Sequence, residues 1–219
     1  MRIVIAGGHG QIALQLERLL AERGDTPVGL IRAAGQEPDL RAAGAEAVVV
    51  DLEQTSAAAL AEHLAGADAV VFAAGAGPGS GLGRKDTVDR GAAVLLADAA
   101  VAAGVRRYVL ISSMGAGAAP PPGTDEVFAA YLEAKTAAED DVTARSALDT
   151  TVLRPGRLTD DPAAGTVTLA PSVAYGEVTR ADVAAVVVAL LDTPATAGHT
   201  VELVGDVPVT DAVRALLRP

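Results

Sequence analysis

The chain has only three tyrosines and two lysines, yet one lysine stands four residues after one tyrosine, in Tyr131-Leu132-Glu133-Ala134-Lys135. On a helix that spacing puts both side chains on one face. An ammonium beside a phenol favours the phenolate, which makes the tyrosine a usable proton donor or acceptor. Ser112 and Ser113 precede the pair and offer hydroxyls that can hydrogen-bond a carbonyl or an alcohol. The competing reading is a tyrosine packed on a sheet and a surface lysine. With so few residues of either type, an accidental match anywhere has a chance of roughly 3%. Tyr131, Lys135 and Ser113 are therefore the candidate catalytic residues.

A second set of residues has the types and spacing to bind a dinucleotide. Gly7-Gly8-His9-Gly10-Gln11-Ile12-Ala13 follows an apolar run and opens an amphipathic stretch. Glycines at 7 and 10 permit a tight turn and close approach of a pyrophosphate. The small Ala13 allows a helix to pack closely on a strand. The helix N-terminus offers N–H groups and a favourable dipole to phosphates. Arg32 ends the next apolar run, where an NAD-preferring site usually carries an acid. A guanidinium there suits a 2′-phosphate, so the expected cofactor is NADP, with NAD possible. Asp51-Leu52 stands just past a third run: Asp51 can accept from an adenine amino group while Leu52 packs on the ring.

These residues need elements to hold them. Candidate strands are Arg2–Ala6, Pro27–Arg32, Ala47–Val50, Ala69–Ala73, Tyr108–Ser112, Thr150–Arg154 and Thr200–Val204. Most are uninterrupted and β-branched, as strands buried on both faces of a parallel sheet are. Helical stretches lie between them at Gly10–Arg23, Ser56–Leu64, Thr87–Ala103, Glu126–Ala147 and Arg180–Leu191. The alternation predicts an α/β fold, a doubly wound parallel sheet with helices on both faces. Residues 1–219 read as a single domain, with 155–178 and 193–219 forming a very small cap over the substrate. Two glycine-rich segments, Gly75–Gly83 and Gly115–Thr124, follow strands at the carboxyl edge, where such sheets bind ligands.

Composition narrows the function further. The net charge is −11, and Cys, Trp and Asn are absent. No cysteine means no disulfide, thiolate metal site or thiol nucleophile. Three scattered histidines make no metal site, so no metal is expected. An acidic chain with five dispersed aromatics lacks the basic face and stacking platform of a nucleic-acid binder. No apolar run approaches the ~20 residues of a membrane span. The expectation is a cytoplasmic protein, monomer or small homo-oligomer, acting on a small molecule.

Taken together, the chain resembles the short-chain dehydrogenases/reductases. It is most similar to their small atypical branch of epimerase/dehydratase-like NAD(P)-binding proteins. The resemblance runs through Gly7–Ala13, Arg32, Asp51-Leu52, Ala73-Ala74-Gly75, Arg84–Asp89, Leu110–Gly115, Tyr131-x-x-x-Lys135, Leu153–Leu158 and Thr179–Ala184. It implies that Gly7, His9, Gly10, Gln11 and Ile12 cradle the pyrophosphate and that Arg32 meets the 2′-phosphate. It places Asp51 and Leu52 about the adenine, and Ala73, Ala74 and Gly75 along the ribose and nicotinamide side. Lys135 would hold the nicotinamide ribose, Pro155 and Leu158 would sit near the amide, and Ser112 joins the cofactor set. Members of this family transfer hydride to or from a carbonyl or alcohol.

The chain departs from the family pattern in having no helix asparagine to anchor a relay water, and in carrying Met114 where extended members often have a hydroxyl. The stretch between Arg154 and Thr179 is too short for a nucleotide-sugar lobe. Two other readings stay open: a dinucleotide-binding redox sensor without turnover, and a flavin- or biliverdin-type reductase that draws its proton from solvent.

Overall fold

A computed structural model describes residues 1–77 and 82–217, so part of the expected Gly75–Gly83 segment (78–81) lies outside the described residues. Strands β1 (Arg2–Ala6), β2 (Thr26–Ile31), β3 (Glu46–Val49), β4 (Ala69–Phe72), β5 (Arg107–Ile111) and β6 (Asp149–Pro155) pair in parallel in the order β3-β2-β1-β4-β5-β6. Alternate residues feed two cores. Ile3, Ile5 and Val71 enter one, while Val4, Ala6, Val70 and Phe72 enter the other. The first core is closed by helices α1 (Gln11–Glu22), α7 (Arg180–Leu191) and α8 (Val209–Leu216). The second is closed by α3 (Ala57–His63), α5 (Ala92–Ala103) and α6 (Glu126–Thr143). The expected doubly wound α/β sheet is the observed one. Its order reverses at β1, which has β2 on one side and β4 on the other. A crevice therefore opens outside the carboxyl ends of these strands.

Several elements escape the sequence pattern. α2 (Glu37–Ala42) is a turn and a half, with Pro38 in its first turn. A short turn, α4 (Leu82–Arg84), leads into seven residues, Lys85–Gly91, wound as a π-helix. The α-helix expected from Thr87 thus begins at Ala92. Of the two stretches expected to build the cap, 155–178 supplies β7 (Arg157–Thr159), β8 (Thr166–Ala170) and the start of β9 (Glu177–Thr179). β7 and β9 form a small parallel pair beyond the end of β6. The stretch 193–219 supplies α8 and β10 (Thr200–Pro208), which extends the main sheet beside β6 and carries β8 antiparallel on its outer side. Asp182 fastens the cap to α7: its buried carboxylate accepts hydrogen bonds from the Ala164 and Gly165 amides at 2.9 and 2.8 Å. Among the described residues, no helix is long and apolar enough to cross a membrane.

Candidate functional site

The loop from β1 into α1 lies pressed between two backbones. Gly7 has φ +80°, and a Cβ on it would stand 2.6 Å from the Ala74 Cα. A Cβ on Gly8 would stand 2.6 Å from the Cα of Gly29 in β2. Contacts this close involve backbone on both sides, so a larger side chain could enter only by displacing a strand. The Gly8 amide donates to the Leu30 carbonyl at 3.0 Å, and Gly10 donates to Gly7 at 2.8 Å. No side chain caps α1, and its first turn holds no acid. Its free N–H groups and positive dipole end are therefore left for an anion.

A cleft partly open to solvent spreads from this loop. It gathers nine of the expected cofactor residues: Gly7, His9, Gly10, Arg32, Asp51, Leu52, Ala73, Ala74 and Gly75. Arg32 is exposed at the end of β2 and forms no ion pair among the described residues. Asp51 turns its carboxylate onto the Glu53 amide at 2.9 Å. His9 lies within 2.7 Å of Asp39 on α2. Gln11 and Ile12 form the first turn of α1, next to the cleft.

The far wall holds a pair that the sequence did not flag. Arg84 meets Glu53 at 2.8 Å, and the Thr87 hydroxyl donates to the same carboxylate at 2.8 Å. Nothing in their spacing points to each other, because the π-helix that brings them together has no signature of its own. The glycine cradle and the uncapped helix end fit the pyrophosphate of a nicotinamide dinucleotide.

The catalytic candidates lie past the end of β5, on the same carboxyl edge. α6 presents Tyr131, Lys135 and Glu139 as one stripe at four-residue intervals. Lys135 is buried: its Nζ donates to the Ile111 carbonyl at 3.3 Å and stands 3.4 Å from Asp89 Oδ1. It also lies 5.7 Å from the centre of the Tyr131 ring. Tyr131 and Lys135 are thus brought together as expected. Asp89, fully buried in the π-helix, was not foreseen as the lysine's counter-ion, and its other oxygen accepts from the Ala76 amide at 3.3 Å.

The two serines part company. Ser112 is buried and donates a short hydrogen bond to Glu139. Arg154 Nε reaches both Glu139 oxygens at 3.0 and 3.1 Å, and its Nη2 adds a further close contact. The pairing with Glu139 holds the Arg154 guanidinium above its ordinary range. Ser113 is only half-buried, and its hydroxyl donates no further than the Met114 carbonyl, at 3.2 Å. Of the pair, Ser113 keeps the less committed hydroxyl. Pro155 ends β6. Leu158, in β7, packs against the core under α7.

Beneath the glycine loop sits a group with no evident purpose in binding. Glu17 of α1 is completely buried, and among the described residues neither carboxylate oxygen has a hydrogen-bond partner. Oε1 lies 2.5 Å from where a Gly29 Cβ would be. Desolvation pushes this carboxyl up from 4.5 to about 8.

Comparison with known proteins agrees with this geometry. A family profile described as NAD(P)H-binding matches residues 7–194. A protein of Bacillus subtilis named as an uncharacterized sugar epimerase, YhfK, is 34% identical over 218 residues, covering 99% of this chain and 100% of its own length. A solved structure from Bacillus halodurans, described as an NAD-dependent epimerase/dehydratase, is 35% identical with a TM-score of 0.90, over 99% of this chain and 100% of its own. ChuY, an anaerobilin reductase of Escherichia coli O157:H7, is 25% identical with a TM-score of 0.80, over 94% and 97%.

Proposed function

The chain belongs to the NAD(P)H-binding family, and from that premise we propose that it is an NADP(H)-dependent oxidoreductase of the short-chain dehydrogenase/reductase type acting on a small carbonyl or alcohol. The observation that carries this reading is the shared edge. The dinucleotide cleft and the Tyr131–Lys135 pair both open outside the carboxyl ends of the central strands.

Gly7, Gly10 and the first turn of α1 would hold the pyrophosphate, Arg32 the 2′-phosphate, and Asp51 with Leu52 the adenine. When bound, the reduced nicotinamide supplies a hydride to the carbonyl carbon. Tyr131 donates a proton to the carbonyl oxygen, giving the alcohol, and is reprotonated from solvent. Lys135, anchored by Asp89 and the Ile111 carbonyl, stands beside the phenol ring. Ser113 hydrogen-bonds the carbonyl and orients it. The short β7–β9 cap leaves room for a small substrate. It also speaks against a nucleotide sugar, despite the name borne by the Bacillus subtilis relative. The chain would act as a monomer or small homo-oligomer.

The test is oxidation of NADPH against a panel of small carbonyls, quinones and flavins, with NADH in parallel. NADPH-dependent reduction of one of them is expected. No turnover across the panel, with dinucleotide bound, would return the chain to the class of redox sensors.

Cofactor choice is tested at Arg32. Arg32→Ser should weaken NADPH binding about tenfold to a hundredfold, the worth of a charge-assisted contact, with NADH little affected. Equal losses for both nucleotides would show that Arg32 does not read the 2′-phosphate.

A further inference from the structure

The chain spends its aromatics sparingly. Of five, Tyr108 and Phe72 are fully buried in the core under α5. Two of the other three stack on each other at the proposed site. The Phe128 and Tyr131 ring centroids are 5.8 Å apart, with planes inclined by 25°. Behind Tyr131 lies the buried Lys135 ammonium, so ammonium, phenol and phenyl form a row running outward from the protein interior. Phe128 ends that row with 48% of its surface exposed. Its position is fixed: Asp125 caps α6 by accepting from the Phe128 amide at 3.1 Å, so the ring stands on the first turn of a long helix.

A lone exposed phenyl needs no explanation. This one has one face stacked on the proposed proton donor and lies on the edge where substrate must enter. A saturated substrate would gain only buried area from it. A planar conjugated one would extend the stack, which is worth more than area alone.

We propose that Phe128 is a specificity-determining residue that stacks the substrate, and that the substrate class is flat conjugated carbonyl compounds of the quinone kind. The inference rests on the oxidoreductase reading for the identity of the site, but its test is binding. Menadione is titrated calorimetrically into the NADP⁺-loaded protein, with 2-methylcyclohexanone as the saturated comparison. The chain has no cysteine for menadione to alkylate. Wild type should bind menadione more tightly than the saturated ketone. Phe128→Ala should weaken menadione about tenfold or more, and Phe128→Trp should keep it, as stacking energies predict. NADP⁺ affinity and thermal midpoint, measured on each variant, report whether the fold is intact. No menadione binding to wild type, or equal affinity in wild type and Phe128→Ala, overturns the stacking subsite. Absence of turnover with every acceptor overturns the oxidoreductase reading instead, and leaves the binding result to stand or fall separately.

Discussion

Tyr131→Phe should lower kcat for carbonyl reduction about 100-fold or more, the usual worth of a positioned proton donor, while NADPH affinity stays near that of wild type. The substitution is a small one. It removes one oxygen and keeps the ring, so the stack with Phe128 and the contact with Lys135 both survive. The ring stands beside Lys135, which is tied to Asp89 and the Ile111 carbonyl. Loss of rate with unchanged binding, in steady-state kinetics beside cofactor titration, marks a group used only in the reaction. A variant that turns over at the wild-type rate would place the proton in solvent, as in the flavin- and biliverdin-type reading. Lys135 would then be a structural ion pair.

The second large effect concerns stability against pH. Glu17 is buried without a partner, and its carboxyl ionises near pH 8 in the folded chain against 4.5 when unfolded. Folding therefore takes up a proton at this residue between those values. Below pH 4.5 the carboxyl is protonated in both states, and its contribution is fully present. As pH rises, the unfolded chain ionises freely while the folded one cannot, so stability falls until about pH 8. At about 1.4 kcal/mol per pH unit, the loss approaches ~5 kcal/mol, an order-of-magnitude figure. Glu17→Gln keeps the shape and removes the titration. The variant should match wild type near pH 4 and exceed it increasingly towards pH 8, in denaturant unfolding at each pH. Parallel curves for the two proteins would mean that Glu17 is ionised and solvated in the folded state.

The central sheet was legible because its strands are buried on both faces. Ile3-Val4-Ile5 and Ala69-Val70-Val71-Phe72 leave no polar face to confuse with a helix. β7, β8 and β9 were missed for the opposite reason. Three to five residues of mixed polarity, such as Arg157-Leu158-Thr159, carry too little period to register. The π-helix was invisible because its residues look like those of any helix start. With it went Asp89, whose role depends on a wider turn aiming it at Lys135 across the fold.

Most residues of the expected nucleotide half line one cleft, and they could be picked out because glycine spacing and strand ends are local signals. The other half was drawn less completely. Tyr131 and Lys135 are neighbours in sequence, but Ser112, Glu139 and Arg154 meet only through three separate elements. Among these groups the Arg154 guanidinium, near the end of β6, anchors α6 to the sheet through Glu139.

That anchoring bears on how the chain could be re-engineered. α6 is tied to the sheet by Lys135 on the Ile111 carbonyl and by Glu139 on Arg154 and Ser112. Thr136 also accepts from the Gly117 amide at 2.8 Å. All these ties lie outside the stretch 118–124. That loop therefore connects the helix to the strand without holding it in place. Lengthening a loop costs little, about 0.6 kcal/mol for each doubling. Residues 118–124 are thus a natural graft point, where foreign segments could reshape the substrate mouth while the helix keeps its register.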